Sequence, residues 1–102
     1  MLLTNLIAFW KLEEASGNRE DIFGGNALTS VNTVGQATGK IGNAAQFNSA
    51  SSRYLKITDN ATLSVGDIDF SVSAWVYFDS VGADQIIVSH YLSAGDQRSW
   101  NL

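Results

Sequence analysis

Phe70-Ser-Val-Ser-Ala-Trp-Val-Tyr-Phe78 is the stretch on which the fold reading turns. Phe70, Val72, Ala74, Val76 and Phe78 share one parity, so a strand sets all five on one face. Ser71, Ser73, Trp75 and Tyr77 take the other face. β-branched and aromatic residues dominate, and neither Gly nor Pro interrupts the run. The second face changes along its length from two serines to two large aromatics. A strand at the rim of a sheet rarely needs both faces so apolar. The pattern therefore predicts a central strand, with one face on the core and the other partly covered or offered to a ligand.

Working outward, short apolar runs alternate with turn-forming clusters. Leu6 to Leu12 reads as a first strand, with Leu6, Ala8, Trp10 and Leu12 on one face and Ile7 and Phe9 on the other. Glu13 to Asp21 carries Gly17 and Asn18 in its middle, both poor helix formers, and reads as a loop. Gly24-Gly25-Asn26 marks a tight turn. Ala27–Val31, Gly42–Phe47 and Arg53–Ile57 read as short strands, the last with Leu55 and Ile57 inward and Lys56 outward. Thr33–Gly39 reads as loop, Asn48–Ser52 as a turn of small residues, and Asp59–Leu63 as a helical turn. Gln85–Tyr91 is a further strand, Ser93–Asp96 a hairpin tip, and Ser99–Leu102 the start of the next strand. Short strands separated by Gly, Asn, Ser and Asp predict an all-β, antiparallel sandwich or barrel.

The chain has 102 residues, room for one domain. A hydrophobic fraction of 45% with 16% charged residues is that of a globular protein. The net charge of −4, with Lys and Arg scattered singly, argues against a nucleic-acid or anionic-membrane partner. Without cysteine there is neither a disulfide framework nor a thiolate metal site. The N-terminal residues lack the basic start and long apolar run of a signal peptide, and no apolar run is long enough to span a membrane.

Four segments together resemble the laminin G-like, concanavalin A-like lectin-glucanase jelly-roll family. They are Phe9-Trp-Lys-Leu12 followed by Gly17, Asp21, Gly24 and Asn26; Gly39-Lys-Ile-Gly42 with Ala44, Phe47 and Tyr54-Leu55; Phe70-Ser-Val-Ser-Ala-Trp75-Val; and Ser99-Trp-Asn-Leu102. The resemblance runs from about Leu6 to Leu102. It implies two packed antiparallel sheets, and a binding module for glycans, sulfated polymers or proteins, often extracellular or surface-associated and often calcium-binding. Family domains continue through several strands after the segment matching Trp100. The expectation is accordingly an N-terminal portion of such a domain, residues 1–102, with incomplete sheets, exposed core residues such as Phe70 and Phe78, and a tendency to self-associate through strand edges.

Each candidate site has a plainer competitor. Asp21 and Asn26, with loop carbonyls near Gly24 and Gly25, offer oxygens to calcium, though calcium needs about 6–8 of them. The competing reading is a turn in which both residues cap backbone N–H groups. Trp75 and Tyr77 offer stacking platforms to sugar rings, against packing under a loop or a neighbouring strand. Trp10 and Trp100 invite the same pair of readings. His90 is the lone histidine, with Ser89 beside it; strand neighbours point to opposite faces, so the two share no proton.

Concanavalin A-like glucanases set two carboxylates on one strand face through Glu-x-Asp-x-Glu. Here Glu occurs only at 13, 14 and 20, and Asp67-Ile-Asp69 has no Glu partner. No catalytic pair is assigned and the chain reads as a non-enzyme. Asn60-Ala-Thr62 fits a glycosylation sequon, relevant in a secreted eukaryotic setting. The expected role is a non-catalytic binding or adhesion module for carbohydrate. The alternative is a structural or assembly β-sandwich, surface- or virion-associated, with a protein partner. A fragment of a glycan-degrading enzyme ranks third.

Overall fold

The computed structural model describes residues 4–64, 68–92 and 97–102. It is β-rich and antiparallel throughout. Among the described residues six strands pair two by two, and the helical content is one short 3-10 turn. Strand β1 (Thr29–Val31) pairs with β4 (Tyr54–Lys56), Ser30 opposite Leu55. Strand β2 (Gly35–Thr38) pairs with β3 (Asn43–Gln46) as a hairpin. Strand β5 (Ser89–Leu92) pairs with β6 (Gln97–Asn101), with a register shift between His90 and Tyr91. The expected hairpin tip at Ser93–Asp96 lies outside the described residues. The chain divides into two units, Met1–Ser71 and Val72–Leu102. No helix among the described residues is long and apolar enough to cross a membrane.

In the first unit, alternation predicts exposure well even where ladders are short. From Leu6 to Leu12 every even position is half-buried and every odd one exposed, as the pattern requires, although Trp10–Asp21 is the one bridge on this run. Around β4, Leu55 and Ile57 are half-buried and Lys56 exposed. The turn after β3 is capped by Asn48, whose side chain accepts from the Ala50 N–H at 2.9 Å, and ends on Ser52 at φ 49°. Asn60 Oδ1 accepts from the N–H groups of Thr62 and Leu63, at 3.0 and 3.3 Å, closing a turn where a helical turn was expected.

Thr33–Gly39 departs from its expected loop. Gly35–Thr38 forms β2, because the turn Gly39-Lys-Ile-Gly42 folds it onto β3; Gly39 N–H donates to the Gly42 carbonyl at 2.9 Å, and Gly42 takes φ +64°. Residues with so little β-propensity pair here because the turn fixes their register.

The interior of this unit is more polar than apolar. Val34 is the one fully buried apolar side chain among the described residues, whereas Arg19, Asp21 and Asn26 are all buried. Arg19 and Leu28 exchange two backbone hydrogen bonds of 2.8 Å, which close the loop containing Asp21 and Asn26.

The run Phe70–Phe78, which spans the boundary between the two units, corrects the central expectation. Phe70–Phe78 forms no ladder with any described residue, and its first face is half-exposed: Phe70, Val72, Val76 and Phe78 lie between 40% and 43%. The two-residue period survives, for Trp75 and Tyr77 are 81% and 90% exposed. Periodicity fixes which side chains share a face. A ladder also needs a neighbouring backbone to take its N–H and C=O groups, and no described segment supplies one.

Candidate functional site

The Asp21–Asn26 loop is built by hydrogen bonds to one carboxylate. Asp21 Oδ1 accepts from the backbone N–H groups of Phe9, Phe23 and Gly24, each at 2.9 Å. Oδ2 accepts from both the backbone N–H and the side-chain Nδ2 of Asn26, each at 3.0 Å. Asn26 is equally engaged: its carbonyl accepts from Trp10 Nε1 at 2.6 Å and its Oδ1 from Asn60 Nδ2 at 3.2 Å. Gly24 is needed for close approach, since a Cβ there would run into the Ile7 carbonyl and reach Asn26 Nδ2 and Asp21 Oδ2 at 2.8 and 2.9 Å. Gly25 supplies the left-handed turn at φ +74°.

The same geometry tests the loop as a cation site. The Asp21 oxygens and Asn26 Oδ1, the nominated ligands, all face N–H donors. Calcium takes a shell of oxygens, and donors pointing inward bring the positive ends of their dipoles. As arranged, these oxygens are acceptors in a capping turn closed over a buried carboxylate. Millimolar calcium should therefore leave the melting temperature unchanged, as read by differential scanning calorimetry, and a rise abolished by Asp21→Ala would oppose this assignment.

Burial pushes the Asp21 carboxyl up in pKa. The backbone N–H donors of Phe9, Gly24, Phe23 and Asn26 outweigh it and hold the group well below the usual carboxylate range. The folded-state pKa thus lies below the unfolded value of about 3.9. Its stabilisation is fully present above about pH 4 and is lost as pH falls toward the folded value. The expected result is a plateau of stability at neutral pH and a steep loss below about pH 4. Asp21→Asn should blunt that loss in acid melts monitored by circular dichroism.

Arg19, beside this loop, had no sequence signal beyond Glu14 five residues earlier. It is wholly buried. Nη1 donates to the Gly17 carbonyl, and Nη2 donates to those of Val34 and Gly35 at 3.1 and 2.9 Å. Nε stands 4.0 Å from Glu14 Oε2, near enough for Coulomb attraction but without a hydrogen bond between those atoms. Glu14 Oε1 accepts the Glu20 N–H at 2.7 Å. The guanidinium fork suits this task, gathering three carbonyls that a lysine would reach as a single point charge.

Trp75 and Tyr77 form the other nominated pair, in the second unit. Both side chains are largely exposed. An i, i+2 pair on an extended chain is spaced roughly 6.6 Å. Trp10 is half-buried and structural, tied to Asn26. Trp100 and His90 are cross-strand partners in the β5–β6 pair, stacked with ring centroids 6.1 Å apart and planes at 17°. Ser89 is exposed while His90 is half-buried, consistent with opposite faces. Of the remaining carboxylates singled out in the sequence, Glu13, Glu20 and Asp69 are exposed, and Asp67 lies outside the described residues. The sequon residue Asn60 donates its side-chain nitrogen to Asn26 Oδ1 at 3.2 Å. No family model, curated protein or solved structure matches the chain.

Proposed function

We propose that this chain is a non-catalytic binding module of the concanavalin A-like jelly-roll type, extracellular or surface-associated, whose ligand is a glycan met by Trp75 and Tyr77. The observation that carries this reading is the 81% and 90% exposure of two large aromatics on one parity of a run whose other parity is half as exposed. Residues of this size are ordinarily covered. A pyranose ring has an apolar face that lies flat on an indole or phenol, and each such contact contributes about 1 kcal/mol. Two rings in succession suit a chain of sugars better than a single one.

A glycan-array screen followed by titration calorimetry tests this. Trp75→Ala should weaken binding about tenfold and Tyr77→Ala somewhat less, with the melting temperature unchanged because both side chains lie outside the packed interior. Retained affinity in Trp75→Ala, or no ligand on the array, would refute the proposal. A second reading, a structural or assembly module with a protein partner, is favoured by the unladdered backbone of the same run and by exposed apolar side chains such as Ile41 and Val81. Concentration-dependent association in sedimentation, with no glycan bound, would select it.

A further inference from the structure

We propose that the first unit carries a self-complementary face through which two copies of this chain associate. The face is the outer side of the Trp10–Asp21 bridge. Trp10 is half-buried and Arg19 and Asp21 are buried, so Lys11 and Glu20, and likewise Phe9 and Ile22, turn outward as neighbouring pairs. All four are exposed, Phe9 at 44% and Ile22 at 57%. Ile7 and Phe23, also exposed, extend the apolar end.

The face is held in place by its own backbone. Ile22 N–H donates to the Phe9 carbonyl at 2.9 Å, and Phe9 N–H donates to Asp21 Oδ1 at 2.9 Å. Little chain entropy is therefore lost when a partner docks on it. Among the described residues Lys11 and Glu20 enter no ion pair; the ion pair of this unit joins Arg19 to Glu14.

The placement of charge selects the occupant. Side by side, the face shows a cation and an anion at one end and two apolar groups next to them. Consider a two-fold axis parallel to these segments, running between two such faces. It keeps each residue at its level and exchanges left for right. Lys11 then meets Glu20 of the second copy, Phe9 meets its Ile22, and each contact occurs twice. No charge faces its own sign or an apolar group. A uniformly acidic or basic partner would satisfy one of the two charges and oppose the other. With so few residues on each side, against roughly 20–30 in a standard interface, the dimer is weak and forms at about 100 µM and above.

Sedimentation equilibrium of the full chain from about 10 µM to about 1 mM tests this. The unaltered chain should shift from monomer toward dimer across that range. Lys11→Glu and Glu20→Lys, each alone, set like charges opposite one another twice and should weaken association about tenfold. An equimolar mixture of those two variants should restore it, because opposite charges then meet across the pair; a change confined to either fold cannot produce that recovery. Ile22→Ser should also weaken association about tenfold while leaving the melting temperature of the dilute monomer unchanged. Trp75→Ala should associate as the unaltered chain does, so the dimer stands or falls separately from glycan binding. A monomer throughout the range would overturn the inference. So would association indifferent to both charge reversals, which would place the contact elsewhere, or a mixture that associates no better than either variant alone.

Discussion

Asp21→Ala should destabilise the first unit by about 3–5 kcal/mol. The substitution removes the acceptor of five N–H bonds and leaves four backbone donors, from Phe9, Phe23, Gly24 and Asn26, with nothing in the fold to take them. A buried donor without a partner costs about 1–3 kcal/mol, and water entering the small void recovers only part of this. Set against a total stability of about 5–15 kcal/mol for an ordinary domain, the loss is a large fraction of the whole. Asp21→Asn keeps one oxygen but turns an NH2 group toward other donors, so it should fall between. Urea denaturation followed by tryptophan fluorescence reads both, since Trp10 is bonded to this loop. A midpoint for Asp21→Ala within error of the unaltered protein would show that the carboxylate is not what holds the loop.

Arg19→Met is expected to be about as damaging, at about 3–5 kcal/mol. Methionine keeps the aliphatic stem and loses every donor. The carbonyls of Gly17, Val34 and Gly35 and the carboxylate of Glu14 are then left around an apolar side chain. Part of that penalty belongs to the stranded Glu14 charge, and Glu14→Gln in the same chain should return some of it. The two substitutions should therefore combine to less than their sum. Additive losses in the same urea series would mean that Glu14 and Arg19 do not interact.

Much of the first unit was legible from residue order. The alternation at Leu6–Leu12 and Arg53–Ile57 anticipates which side chains turn inward, because exposure follows local backbone geometry. Asn48 and Asn60 anticipate the turns they cap, because the short amide bonds to backbone two or three residues on. Strand β2 was not legible, since Gly35-Gln-Ala-Thr38 has no β-branched core and forms only because its turn delivers it to β3. The ladder expected at Phe70–Phe78 failed for the opposite reason: a strong local pattern cannot supply the backbone that must lie beside it.

The candidate site was legible in its residues and only partly in its roles. Asp21 with Asn26 admitted a cation site or a capping turn, and the choice depended on Phe9 and Trp10, brought back against the loop by the fold. Trp75 and Tyr77 were marked by parity, but how far each is covered depends on the rest of the fold, which no pattern within the run records. Arg19 was invisible as a buried group because charged side chains in Gly-containing loops are ordinarily solvated.

A single acceptor residue ties together amides from Phe9 to Asn26, and through Asn26 reaches Trp10 and Asn60. Bonds that share one atom pair are not independent: moving that carboxylate loosens all of them at once. The segment from the first apolar run to the end of the loop thus behaves as one cooperative unit, without a ladder of separate steps by which it could fray.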